Sequence, residues 1–188
     1  EIHPIQRVSY SDLTFGRFYE EFRLRDRPLI ITDIPADQSP CFGRLGGYTD
    51  KLLEESCIEA TVNVKPFAEP AYNRKSCGQG TDMGVPEFMQ KFSVEGALEE
   101  SLGVSGPFFA DWIRIREGCG ELWRYARFPA YFTGQIHAVG PTFYFAQKGF
   151  NQSFHMDYLP AELWSSVCRG RKKLRIVPIS VAWKHLGR

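Results

Sequence analysis

His155 and Asp157 stand two residues apart in the run Phe154-His155-Met156-Asp157. In a β-strand, residues i and i+2 point to the same face. The spacing therefore predicts an imidazole and a carboxylate presented side by side. Such a pair supplies two of the three ligands of a 2-His-1-carboxylate facial triad, which holds Fe(II) and leaves coordination positions open. The triplet alone is a weak signal, since chance gives about 0.2 H-x-D per chain of this composition. The competing reading is a strand-end His and Asp that bond to each other or to a turn.

The segment Gly170-Arg171-Lys172-Lys173 adds weight. Gly170-Arg171 reads as a tight turn, and Lys172–Val177 as the strand it feeds. On that strand Lys172, Leu174 and Ile176 share one face, while Lys173, Arg175 and Val177 share the other. Lys172 is thus expected on the more apolar, inward face. A buried ammonium is costly unless paired, and the carboxylate of a bound acid would pair it. The alternative is a lysine at a barrel rim that extends its head to water.

The elements that would position these residues follow from pattern. Ser11-Asp12 marks a helix start, and Phe15, Phe18, Tyr19 and Phe22 form one apolar stripe. Arg27-Pro28 ends that helix, and Leu29–Thr32 reads as a short buried strand. Residues 33–47, rich in Pro and Gly, read as loop. Thr49 is placed to cap a short helix through Glu55. Ile58–Lys65 alternates as a strand, 69–84 reads as polar loop, and Val85-Pro86 opens a helix bearing Phe88, Met89 and Phe92. Phe108–Glu117 fits strand or helix, and Glu121–Arg127 fits one or two helical turns. Strands are expected at Thr142–Ala146, Ser153–Asp157, Glu162–Cys168 and Lys172–Val177, and a short helix at 180–186. A helical first half leading into consecutive strands predicts a mainly β fold with helical decoration, a β-barrel or jelly roll. Residues 1–188 read as one domain, with 1–140 the helical and strand portion and 141–188 the first part of the barrel.

Composition narrows the function classes. Aromatic residues make up 14% of the chain, 15 of them Phe, which favours a heavily packed β-rich interior. A net charge of +1 gives no global attraction for nucleic acid or membranes, and neither is expected as a partner. No apolar run approaches the ~18 residues of a membrane span, and no signal peptide is visible. The chain begins at Glu1, so a longer parent chain is expected. The five cysteines are odd in number and irregular in spacing, with no C-x-x-C pair. They read as reduced thiols of a cytoplasmic or nuclear protein.

Phe154-His155-Met156-Asp157, Trp164-Ser165, Val167-Cys168 and Gly170-Arg171-Lys172-Lys173 together resemble the jumonji-C family of Fe(II)- and 2-oxoglutarate-dependent oxygenases. Within it they are most similar to a lysyl hydroxylase subgroup acting on a translation factor. Arg27-Pro28-Leu29-Ile30-Ile31, Ala71-Tyr72-Asn73 and Phe109-Ala110-Asp111-Trp112 resemble further landmarks, at lower density. The resemblance implies a double-stranded β-helix of cupin type, incomplete within these residues. It also implies Fe(II) bound by His155 and Asp157, and 2-oxoglutarate held by Lys172. Gln152 stands where the family has Thr, with Ser153 beside it, and either is a donor to the co-substrate; Tyr144 reads first as a core tyrosine of its strand, with a further co-substrate contact the alternative. The implied partner is a protein substrate. The family's distal histidine is missing from these residues, and three explanations stand open: a fragment of a longer enzyme, a naturally truncated barrel, or a ligand supplied by a divergent segment. His185 follows Asp157 too closely, His137 precedes the motif, and His3 sits in a terminal segment. Two other functions fit the residues: a jumonji-like binding module without turnover, and a cupin-like binder of small acids.

Overall fold

β1 (Gln6–Ser9) and β2 (Leu29–Thr32) form a parallel pair in the computed structural model, with Val8 opposite Ile31. The structure describes residues 3–66, 80–127, 131, 142–152, 163–178 and 181. Parallel strands need a crossover, and residues 10–28 provide it. Thr14 caps the crossover helix, its Oγ1 accepting the Arg17 N–H at 3.2 Å. The helix starts as α1 (Phe15–Arg17), widens into a π turn over Phe18–Phe22 and tightens into a 3-10 turn over Arg23–Arg25. The Arg23 N–H reaches back to the Phe18 carbonyl, which marks the wide turn. The widening splits the expected aromatic stripe. Phe18 and Phe22 are buried with Val8, Leu13 and Tyr131. Phe15 and Tyr19 stay exposed and stack on each other at 6.2 Å. Tyr131 locks this small core by donating its hydroxyl to the Leu13 carbonyl at 2.8 Å.

The main sheet has the order β4-β3-β5-β6, antiparallel throughout. Its strands are β3 (Thr61–Pro66), β4 (Thr81–Gly84), β5 (Phe108–Arg114) and β6 (Thr142–Ala146). Ala60, Val62 and Val64 are buried at alternate positions, as the period of two dictates. Ile58, by contrast, is 70% exposed, and the strand begins only at Thr61. The Phe108–Glu117 ambiguity resolves in sequence order: β5 runs to Arg114, and α5 (Ile115–Gly118) follows. Among the described residues the sheet is open, with β4 and β6 at its edges.

α2 (Asp50–Ser56) and α3 (Val85–Phe92) pack on the sheet. Thr49 caps α2 as its sequence predicts, accepting the Leu52 N–H at 3.1 Å. Pro86 occupies the first turn of α3, where its missing N–H costs nothing. The core between them contains Phe42, Leu53, Val62, Val64, Val85, Phe88 and Phe108, with Leu98 of α4 (Ala97–Leu102) closing one side. Gly43 is required beside it, because a Cβ there would lie 1.6 Å from the Ala36 carbonyl oxygen.

Two expectations are corrected. Four of the five cysteines are not free thiols: Cys41 bonds Cys168, and Cys57 bonds Cys119, while Cys77 lies outside the described residues. Spacing along the chain does not encode this pairing, which joins residues 127 and 62 positions apart. Residues 163–178 form neither strand nor helix, so the strands expected at Glu162–Cys168 and Lys172–Val177 do not form over the described positions. The expected strand over Ser153–Asp157 lies outside the described residues, and so does the 180–186 helix apart from Val181.

Candidate functional site

β6 is the element that leads into the H-x-D motif. Its inward residues Phe143 and Phe145 pack with Phe42, Tyr48, Phe88 and Phe92. Between them Tyr144 points outward and is 55% exposed, which corrects the reading of Tyr144 as core. The end of β6 is clasped to the start of β5 by one residue. Gln147 donates its backbone N–H to the Phe108 carbonyl at 3.0 Å, and its side-chain oxygen accepts the Phe108 N–H at 2.9 Å. The side-chain bond stands in for one more backbone rung. A turn at 147–150 follows, closed by the Phe150 N–H on the Gln147 carbonyl at 3.1 Å. Gly149 takes the positive φ of 92° that this turn needs.

Three rings fix the outer side of this turn. Phe109 stacks against Phe150 at 4.7 Å and against Tyr144 at 6.2 Å, with interplanar angles of 9° and 19°. The clasp and the stack together set where the chain leaves the sheet, two residues before Gln152. The sequence analysis missed both. The cue available was Phe109, one residue into a strand whose neighbour Phe108 is wholly buried.

Of the expected site residues, Gln152 is exposed. His155 and Asp157 lie outside the described residues, as do His137 and His185. Lys172 is exposed, and the face it was expected to share is exposed too, with Leu174 at 54% and Ile176 at 55%. The reason is physical. Alternation makes a buried face only when a neighbouring strand takes up the backbone hydrogen bonds, and 172–177 has no such partner among the described residues. Trp164 is half-buried. Among the described residues no group of three or more His, Cys, Asp or Glu side chains is placed to hold a metal ion. No helix among them is long and apolar enough to cross a membrane.

A polar cluster seats the segment that carries Lys172. The Asp50 carboxylate accepts from the Tyr48 hydroxyl at 2.9 Å, from the Ser93 hydroxyl at 2.8 Å and from the Arg169 guanidinium. Partial burial pushes the Asp50 carboxyl up. The hydrogen bonds from Arg169, Ser93 and Tyr48 outweigh that and hold it below its ordinary range. Burial, then the bond to Asp50, pushes the Tyr48 hydroxyl well above the ordinary tyrosine range. The hydrogen bond that Arg169 itself donates to Asp50 raises the guanidinium further, so the Arg169–Asp50 pair stays charged. Comparison of the chain with protein-family models, curated proteins and solved structures found no match.

Proposed function

We propose that this chain belongs to an Fe(II)- and 2-oxoglutarate-dependent protein hydroxylase of jumonji-C type, directed at lysine in a protein substrate. The observation that carries the reading is the residue pattern 154–173: the H-x-D triplet followed fifteen residues on by Lys172 in its Gly-Arg-Lys-Lys setting. The donor chemistry suits the metal, because imidazole and carboxylate are ligands that Fe(II) accepts. The open antiparallel sheet with β6 at its edge is compatible with part of a double-stranded β-helix, and that architecture belongs to the proposal.

In this reading His155 and Asp157 hold the metal. Bound Fe(II) and 2-oxoglutarate would activate dioxygen, the oxidant, for hydroxylation of an unactivated C–H bond, with 2-oxoglutarate oxidised to succinate and carbon dioxide. Lys172 pairs the distal carboxylate of the co-substrate and so fixes its orientation. Its present exposure means that it must gain a wall, from another part of the protein or from the ordered co-substrate, before that pair is strong. Gln152 donates a hydrogen bond to the same acid. The Gln147 clasp and the stack of Tyr144, Phe109 and Phe150 fix the end of β6 and the turn at 147–150, upstream of the motif in sequence.

The test is 2-oxoglutarate turnover in the intact natural protein, read as succinate formed with Fe(II) present. His155→Ala should lower it by at least ~100-fold, since even outer-shell changes at metal sites cost 10–100-fold. Undiminished turnover in that variant removes the assignment. The exposure of Lys172, Gln152 and Tyr144 favours a second reading, a jumonji-like binding module without turnover. Thermal stabilisation by Fe(II), abolished in Asp157→Ala, separates the two in favour of the enzyme.

A further inference from the structure

We infer that Cys41–Cys168 is a thiol–disulfide exchange site, opened by a dithiol reductant, that controls whether residues 163–178 stay docked on the body. The inference does not depend on the oxygenase reading. The two disulfides differ in surroundings. Cys57 and Cys119 are wholly buried in the main core with Leu53, Ala60 and Leu122. Cys41 and Cys168 are half-buried, at the junction between a surface turn and the 163–178 segment. Exchange needs a thiolate to approach a sulfur in line with the bond, and only the second pair offers an approach from solvent.

Trp164 of this segment is half-buried and Arg169 reaches Asp50 and Ser93, but Cys41–Cys168 is the one covalent tie among the described residues 163–178. The segment contributes no strand to either sheet. Leu163, Val167, Leu174 and Ile176 are all more than half exposed. Its ion pair, Arg169 with Asp50, has an exposed guanidinium, and exposed pairs are worth about 0.2–1 kcal/mol. The covalent link is therefore the strongest single tie among those described for the segment.

The chemistry balances. A thiolate of the reductant attacks Cys41 Sγ, forming a mixed disulfide and breaking the Cys41–Cys168 bond. The Cys168 thiolate leaves, close in sequence to the cations Arg169, Arg171, Lys172 and Lys173, which favour negative charge, and then takes a proton from water. The second thiol of the reductant, deprotonated, then displaces Cys41, whose thiolate takes a proton from water. The reductant loses two electrons and becomes a cyclic disulfide; the protein gains two and holds two thiols. An oxidised dithiol reverses both steps.

The experiment equilibrates the full chain in buffers of dithiothreitol and its oxidised form, traps thiols with iodoacetamide and maps them by peptide mass spectrometry. Parallel samples receive a brief tryptic pulse, which reads Arg169, Arg171, Lys172, Lys173 and Arg175. Cys41 and Cys168 should label together at a reduced-to-oxidised ratio at least ~10-fold below that needed for Cys57 and Cys119. Cleavage at 169–175 should accelerate by about the same factor as they open, and reverse on reoxidation. Cys168→Ser should show the fast cleavage with no reductant, and Cys41→Ser the same. Joint labelling of all four cysteines, earlier labelling of Cys57 and Cys119, or a cleavage rate unchanged by opening overturns the inference. So does a Cys41–Cys168 pair that oxidised dithiothreitol fails to close.

Discussion

Asp50 accepts hydrogen bonds from three residues drawn from three parts of the chain: Tyr48 before α2, Ser93 after α3, and Arg169 far downstream. A carboxyl held below its ordinary range stabilises the fold at any pH above its unfolded value, near 3.8, and loses that contribution as pH falls through the lower folded value. Asp50→Asn should therefore cost up to about 1 kcal/mol at neutral pH. It should also flatten the fall in stability between about pH 5 and pH 2. Urea midpoints of both proteins across that range are the measurement, and parallel pH profiles would refute the role. One part of this cluster was legible beforehand. Thr49 beside Asp50 announces a helix start, because a cap is made within four residues of itself. Arg169 was not, because nothing near position 50 signals a partner 119 residues on.

Among the elements, α3 is the one that its own residues specify most fully. Pro86 sets the first turn, and Phe88 and Met89 follow at the spacing that buries them together. Phe88 meets Phe92 at 5.1 Å and Phe145 edge-on at 5.4 Å, so it joins the helix to β6. Phe88→Ala should destabilise by about 3–5 kcal/mol, read from denaturant unfolding, and a loss under 1 kcal/mol would mean that the core closes over the gap. The same local logic fails for β1, β4 and 172–177. β1 and β4 have four residues each and little apolar content, and each is a strand only because β2 or β3 supplies its hydrogen bonds. Residues 172–177 have the alternation of a strand but no such neighbour among the described residues, and Leu174 and Ile176 face water. Pattern proposes a strand, and pairing decides it. The proposed site shares this limit, for its candidate ligands His155 and Asp157 were read from spacing and resemblance, and the wall that Lys172 would need in that role was not readable at all.

At the scale of the molecule, the two disulfides are nested, with Cys57–Cys119 lying inside the span of Cys41–Cys168. The outer bond closes a loop for which chain entropy alone gives a stabilisation of about 5 kcal/mol. It also sorts the chain mechanically. Tension applied between the two ends runs along residues 1–41, where it loads the β1–β2 pair, across one sulfur–sulfur bond, and on through 168–188, leaving the four-stranded sheet with α2 and α3 unloaded. A single molecule stretched between its termini should pay out about 200 Å of chain while the bond is intact. After reduction of both bonds it should pay out about 640 Å, the full contour. Extension beyond the shorter length without reductant would show that the outer bond is open. With it closed, the chain behaves under load as two tethers knotted to a shielded body.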